Sequence, residues 1–293
     1  MTITDSKKAR LIKGVVVNAI LETSDTWTLA IRVAEEDRHY RAGQFISIPP
    51  QQFPVLQDLV KYFEYKKGRK EPIRAYSLAS APYEDLVAIT VKLEGFHEAP
   101  DSLPPLLSPL LASDLLLGKP IEFMGYTGGY VMPADASLDS DLVVHLVAGS
   151  GIVPSFSILK DELIGNKNPK LPHVLVYVNK SMDDIIYKSE IDKLATQFPK
   201  RLKVIHYLTR ETGAPSGPGQ YILSRPQISH MADIIKDPSR TLVYACGPAV
   251  TKFQKKEALI TGVQPNPRFM EWVQDVVHEL NIDKKRIHRE VYG

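Results

Sequence analysis

The chain has 293 residues, 24% charged and 44% apolar, a length that at about 150 residues per domain accommodates two domains with ample core. Lys and Arg total 36 against 34 Asp and Glu, and the formal net charge of +2 excludes the bulk basicity of a nucleic-acid binder. The single cysteine, Cys246, excludes an internal disulfide and a self-held iron–sulfur cluster, so a reducing cytoplasm is the expected location and no metal site is expected.

The opening MTITDSKKAR lacks the apolar stretch of a signal peptide. From Arg10 to about Met132 six β-branched or aromatic runs follow, IKGVVVNAIL, WTLAIRV, GQFISI, RAYSLAS, LVAITVKL and PIEFM. Separated by turn residues, they predict a small antiparallel barrel or sandwich. Residues 49–109 hold many of the prolines, and two excursions within them, 50–72 and 95–109, read as loops or short helices outside that core. The polar PADASLDSD before Leu142 places a boundary near residue 138, giving domains 1–138 and 139–293. Beyond it, LVVHLVA, HVLVYVN, LKVIHYL and TLVYACG alternate with helical patterns, predicting a doubly wound parallel α/β sheet. The 18 uncharged residues from Leu142 to Leu159 reach the lower limit for a membrane span. With Gly149, Gly151, Pro154, His145 and three serines inside, they read as strand, turn and helix start, and no span is expected.

That turn, Gly149-Ser150-Gly151-Ile152-Val153-Pro154, has a phosphate-binding pattern. Glycines permit positive φ and close backbone approach, and a helix start attracts a pyrophosphate. A proline in the first helical turn removes only a donor without a partner. Taken alone, a plain strand-to-helix turn reads equally well. No acid ends the next strand, where Val178 is followed by Asn179 and Lys180, with Asp183 and Asp184 a few residues late. Arg74-Ala75-Tyr76-Ser77 starts a strand with a cation and an aromatic ring on one side, suited to a pyrophosphate and a flavin ring. The alternative is a surface arginine beside a barrel tyrosine. Cys246, before Gly247-Pro248, ends a strand where parallel sheets place ligands, although a lone cysteine is commonly a small buried hydrophobe. Glu290 and Tyr292 stand two apart near the end of the chain, where a frayed tail is the ordinary expectation. Phe269, Trp272, Val273, Val276, Val277 and Leu280 repeat at helical spacing and read as core.

In this order, RAYSLAS, AGSGIVP, YACGP and a terminal EVY resemble the ferredoxin–NADP reductase superfamily over about residues 10–292. The resemblance implies an FAD-binding barrel and an NADP-binding α/β domain. It implies that Arg74 contacts the FAD pyrophosphate, Tyr76 lies against the isoalloxazine and Ser77 hydrogen-bonds near its reactive nitrogen. It also implies that Gly149, Gly151 and Pro154 receive the pyrophosphate of the nicotinamide nucleotide. Cys246, with Gly247, lies beside the nicotinamide, and Glu290 and Tyr292 match the terminal glutamate and flavin-facing aromatic, here followed by one extra residue, Gly293. Thr209 and Arg210 look like the grip on the 2′-phosphate and Tyr221 like the ring that stacks on adenine, which favours NADPH over NADH. The insertion from Gly95 to Leu107 displaces the expected Ser/Thr turn, leaving Ser108 as the candidate there.

The implied activity is hydride transfer from NADPH to FAD, with Ser77, Cys246 and Glu290 nearest the chemistry, and release of single electrons to a protein acceptor. Residues 61–74 carry a local balance of +4, which suits an acidic ferredoxin or flavodoxin as well as it suits a solvated loop. The alternatives are the reductase component of an oxygenase or hydroxylase, a quinone or dye reductase, and a nucleotide-binding regulatory subunit.

Overall fold

The computed structural model describes residues 10–95 and 103–292. Gly293 and residues 96–102 of the second excursion lie outside the described residues. The chain divides into two compact units, residues 1–129 and 130–293.

In the first unit all six expected strands form: β1 (Arg10–Thr23), β2 (Thr26–Val33), β3 (Phe45–Ile48), β4 (Arg74–Ser77), β5 (Val87–Lys92) and β6 (Pro120–Thr127). They pair antiparallel in the order β4-β3-β6-β1-β2-β5. A bridge from Leu78 to Ile89 joins the two ends of that order, so the sheet closes on itself and leaves no free edge there. Period-two alternation points Ile12, Val16, Leu29, Ile31, Ile46, Ile48 and Ile89 into one core, each at most 3% exposed. Alternation puts Thr28 and Thr90, opposite each other on β2 and β5, on the other face, where their buried hydroxyls satisfy one another at 2.7 Å. The first excursion is chiefly a helix, α1 (Gln57–Lys67), and the second ends in the turn α2 (Ser108–Leu111). Val60 and Phe63 of α1 pack with Leu106 in a small cluster of their own.

In the second unit β7 (Leu142–Ala148), β8 (His173–Asn179), β9 (Leu202–Leu208), β10 (Gln220–Ile222), β11 (Thr241–Pro248) and β12 (Ile287–Tyr292) form a parallel sheet. Their order is β10-β9-β8-β7-β11-β12. The helices are α3 (Ala136–Asp139), α4 (Ile152–Leu163), α5 (Lys188–Gln197), α6 (Ile228–Ile234), α7 (Lys252–Thr261) and α8 (Phe269–Glu279). Buried on both faces, β7, β8 and β11 are near-continuous apolar runs. Met270, Val273 and Val276 turn the amphipathic face of α8 into this core.

Two sequence readings shift, and one strand is new. Residue 138 falls within α3 of the second unit, because Tyr130 is already part of that unit: its ring packs edge-on against Tyr244 at 5.1 Å and its hydroxyl meets Ser155 Oγ at 2.7 Å. Polarity of the segment hid an anchor that one aromatic supplies. The terminal EVY is a sixth parallel strand, with Glu290 opposite Cys246 and Tyr292 opposite Pro248. The short β10 carries Tyr221, and at three residues it is too brief for periodicity to reveal.

Candidate functional site

Each unit carries part of the expected site. In the first, a cavity of about 220 Å³ lies among α1, β4 and the start of α2, with Arg74, Tyr76, Ser108, Lys67 and Phe63 in its wall. Arg74 and Tyr76 share it because they alternate with Ala75 on the strand. Ser77, on the other side of β4, is 5% exposed and is not in the cavity wall. Ser108 is 4% exposed and its hydroxyl accepts from the Glu94 amide at 3.3 Å.

The cations here are already organised. Glu71, 3% exposed, accepts from Lys67 Nζ at 3.0 and 2.8 Å and from Arg74. Burial works to raise the Glu71 pKa, but the hydrogen bonds from Lys67 and Arg74 hold it below the usual carboxylate range. Two of the basic residues of 61–74 are therefore consumed internally, while Lys66, Arg69 and Lys70 remain exposed. Sequence reading missed Lys67 and Glu71; their signal is the i,i+4 spacing of Lys67 and Glu71 together with Arg74 three residues on. A guanidinium has five N–H donors, so its bonds to Glu71 and the Pro72 carbonyl leave donors for an anion. Two cations around one carboxylate, beside a phenol ring and a hydroxyl, fit a dinucleotide's pyrophosphate and an aromatic ring.

In the second unit β7 runs through a 3-10 turn, Gly149–Gly151, into α4. Gly149 has φ +53, and a Cβ built there meets nothing within 4 Å, which leaves the open backbone a phosphate needs. Gly151 has the opposite reason: its Cβ would lie 2.1 Å from the Cys246 carbonyl oxygen. Pro154 is buried at the third position of α4, and Gly247 is held close by Phe269, 2.6 Å from where a Cβ would stand. This turn fits a nucleotide pyrophosphate at a helix start.

Cys246 is fully buried at the end of β11, between Val147 and Glu290 in register. Burial pushes its thiol pKa up, the nearby Glu290 adds to that, and a hydrogen bond with the Tyr292 side chain opposes it. The structure thus brings Cys246, Glu290 and Tyr292 together at the carboxyl end of adjacent parallel strands.

At the tip of β9, Thr209 Oγ1 donates to the Asn179 carbonyl at 3.2 Å, and the Arg210 amide donates to Lys180 O at 2.7 Å while the residue itself is exposed. The acid not found at the end of β8 arrives from the neighbouring loop: Glu211 accepts from the amides of Met182, Thr212 and Gly213. Those backbone bonds, Met182 foremost, hold its pKa below the usual range. Tyr221 is stacked on His206 at 4.9 Å with 13° between ring planes, and its hydroxyl donates to Ser216 O. One face of the ring expected against adenine is therefore covered by the protein itself. Among the described residues there is no group of three or more potential metal ligands, and no helix long and apolar enough to cross a membrane.

A closed antiparallel barrel whose cavity is lined by Lys67 and Arg74 together with Glu94, followed by a parallel sheet with a glycine turn at its switch point, is a two-unit fold of barrel and doubly wound sheet. Comparison with known proteins agrees. The oxidoreductase NAD-binding domain family matches residues 146–256. The chain is 27% identical over 285 residues, 94% of its length, to the ferredoxin reductase component of 3-ketosteroid-9-alpha-monooxygenase from Rhodococcus rhodochrous, and spans 64% of that protein. It is 27% identical over 232 residues to the ferredoxin--NADP reductase of Synechocystis sp., covering 75% of this chain and 52% of that one. The FAD/NAD-binding domain of nitric oxide dioxygenase from Vibrio cholerae has the same fold, with TM-score 0.66, 22% identity, and coverage of 98% and 100% of the two chains. In fold and over most of its length the chain is similar to reductases of the ferredoxin–NADP reductase kind.

Proposed function

We propose that the protein is an FAD-dependent reductase that takes hydride from NADPH and passes single electrons to a small acidic redox protein such as a ferredoxin or flavodoxin. The observation that carries this reading is the barrel cavity in which Arg74, Lys67, Tyr76 and Ser108 meet. FAD, when bound, supplies the conversion of hydride to single electrons. Arg74 binds its pyrophosphate, already aimed by Glu71, and Tyr76 supplies the apolar ring against which a flavin rests. Ser108 adds a hydroxyl at the cavity wall, and Ser77 is the donor assigned to the reacting nitrogen.

In the second unit Gly149, Gly151 and Pro154 form the turn for the coenzyme pyrophosphate, and Thr209 and Arg210 hold the 2′-phosphate, which favours NADPH. Tyr221, with one face on His206, offers its other face to adenine. Cys246 and Gly247 wall the nicotinamide position, Tyr292 fixes the Cys246 thiol through their hydrogen bond, and Glu290 is the carboxylate that holds or passes a proton. Lys66, Arg69 and Lys70 offer the acceptor a basic surface whose contribution is salt-sensitive. A second reading, the reductase component of an oxygenase, is supported by the similarity of 94% of this chain to 64% of the ketosteroid monooxygenase reductase component; it keeps the same site and changes the acceptor.

The purified protein is expected to take up one FAD, seen as an absorption band near about 450 nm. Arg74→Ala is expected to weaken FAD retention by about 10- to 100-fold, the worth of a charge-assisted hydrogen bond, with Arg74→Lys falling between. Absence of flavin uptake by the wild-type protein would overturn the proposal.

A further inference from the structure

The two excursions from the barrel have been given no role of their own above, yet they build most of the cavity in the first unit. Only Arg74 and Tyr76 of its wall stand on a barrel strand; Phe63 and Lys67 come from α1, and the rest lie between Glu94 and Ser108. The excursions also pack on each other, Val60 and Phe63 of α1 against Leu106, with Leu59 and Leu103 beside them. Polar contacts tie α1 back to the barrel. Gln52 exchanges two hydrogen bonds with the Glu122 backbone of β6, both at 2.7 Å. Gln51 Nε2 donates to the Glu71 carbonyl at 2.8 Å, and the Glu71 amide donates to Glu64 Oε1 on α1 at 3.0 Å.

Lys67 is the last residue of α1. Gly68 follows it in the left-handed region, with φ +61, and turns the chain so that Glu71 meets the lysine four residues on. The ammonium is held from two sides, by the Glu71 oxygens at 3.0 and 2.8 Å and by the Phe63 ring, whose centroid is 4.9 Å away. An ammonium has three N–H donors, so at least one remains after Glu71. The Lys67 side chain is 27% exposed and lies in the cavity wall, whereas that of Glu71 is 0% exposed and does not. Arg74 shares the same carboxylate. Two cations thus face the cavity with their one counter-charge behind them, and a long side chain already fixed in this way loses little further freedom on gripping an anion. Glu94, the other acid of the wall, is exposed, where water screens its charge. Lys61, Lys66, Arg69 and Lys70 are exposed too, and none of them lines the cavity.

We infer that Lys67 is a second cation for the cofactor pyrophosphate, and that the two excursions close on that group rather than merely lengthening the surface. The inference rests on the proposed FAD reading and adds to Arg74 a ligand from outside the barrel strands. A pyrophosphate joining two nucleotides carries one negative charge on each phosphate, and two cations ordered by a single carboxylate match that pair in number. Lys67 ends α1, and α1 packs on Leu106. An anion held by Lys67 therefore opposes the opening of both excursions, and cofactor affinity and the order of α1 become one equilibrium.

Lys67→Met removes the ammonium, keeps an apolar stem over Phe63 and leaves Glu71 its bond from Arg74. With the thermal midpoint of the flavin-free protein close to wild type, this variant should bind FAD about 10-fold more weakly. Lys61→Met, on the same helix but outside the wall, should change FAD affinity by less than about 2-fold. Hydrogen exchange of the full chain, read by mass spectrometry, needs neither turnover nor a variant: FAD should slow the amides of α1 by about 10-fold or more. Lys67→Met should lose most of that slowing. Wild-type affinity in folded Lys67→Met, equal weakening by Lys61→Met, or α1 exchange indifferent to FAD would each overturn the inference. If the wild-type protein binds no FAD, the functional reading fails by itself and inorganic pyrophosphate decides the clamp. Slower α1 exchange in wild type but not in Lys67→Met then supports it; slowing absent from wild type, or retained in the variant, overturns it.

Discussion

Gly151→Ala is expected to cost about 3 kcal/mol of folding stability, against about 1 kcal/mol for Gly149→Ala two residues earlier. The two glycines are needed for different physical reasons. At Gly151 the backbone is ordinary helix, but an added Cβ would stand 2.1 Å from the oxygen and 2.5 Å from the carbon of the Cys246 carbonyl, with the Gly247 nitrogen at 2.9 Å. These are backbone atoms of β11, a central strand, so the strain is relieved only by moving the start of α4 away from the sheet. At Gly149 the space is open and the penalty is the left-handed φ of +53. Urea unfolding of the two variants measures the contrast, and the helix shift in Gly151→Ala should also weaken coenzyme binding. Equal costs would mean that conformational freedom alone, and not close packing of the turn on β11, explains this motif.

Acidification is expected to destabilise the second unit steeply between about pH 6.5 and 4. Burial pushes the His206 pKa down to about 4 and that of His145 to about 3, and His173 is also lowered well below its ordinary value. In that window the unfolded chain binds protons that the native histidines refuse, so stability rises with pH and falls as pH drops, by up to about 1.4 kcal/mol per pH unit for each histidine. Asp161 and Glu162 work the other way: burial raises their pKa values, the native state binds those protons more readily, and part of the loss is offset. Glu71, held low by Lys67 and Arg74, extends acid sensitivity to lower pH in the first unit. His206→Phe isolates one contribution, because both ring nitrogens of His206 are buried without hydrogen-bond partners and its ring stacks on Tyr221. That variant should be more stable at pH 5 than wild type and should reduce the slope of stability against pH by about 1.4 kcal/mol per unit. An unchanged slope would show that His206 titrates normally in the folded protein.

The barrel strands were readable because each is a short β-branched run with residues such as Gly43, Pro72 or Pro120 at its flanks, and the parallel sheet because strand and helix periods alternate. What sequence could not show is chiefly tertiary. Glu71 looks like one more charge in a solvated loop, and only the fold reveals that it is buried and shared by Lys67 and Arg74. Tyr130 sits in a polar stretch that reads as a linker, although its ring anchors the second unit. The His145–His173 pair comes from two strands 28 residues apart in sequence, where each histidine alone is an ordinary core residue. Ser77 separates from Arg74 and Tyr76 for a reason the sequence does contain, strand alternation, although the four-residue motif invites reading them as one cluster. Tyr221 lies on a strand too short for the sequence to show, and a single residue across the register, His206, stacks on its ring.

The central claim is that NADPH reduces an FAD held by this chain. Anaerobic stopped-flow mixing of the FAD-loaded protein with NADPH, and in parallel with NADH, follows the flavin band near about 450 nm directly. The account predicts rapid bleaching, faster with NADPH, and re-oxidation on addition of an acidic ferredoxin at a rate that falls with salt. A flavin that neither coenzyme bleaches would contradict the reductase assignment, and faster bleaching by NADH would contradict the role given to Thr209 and Arg210.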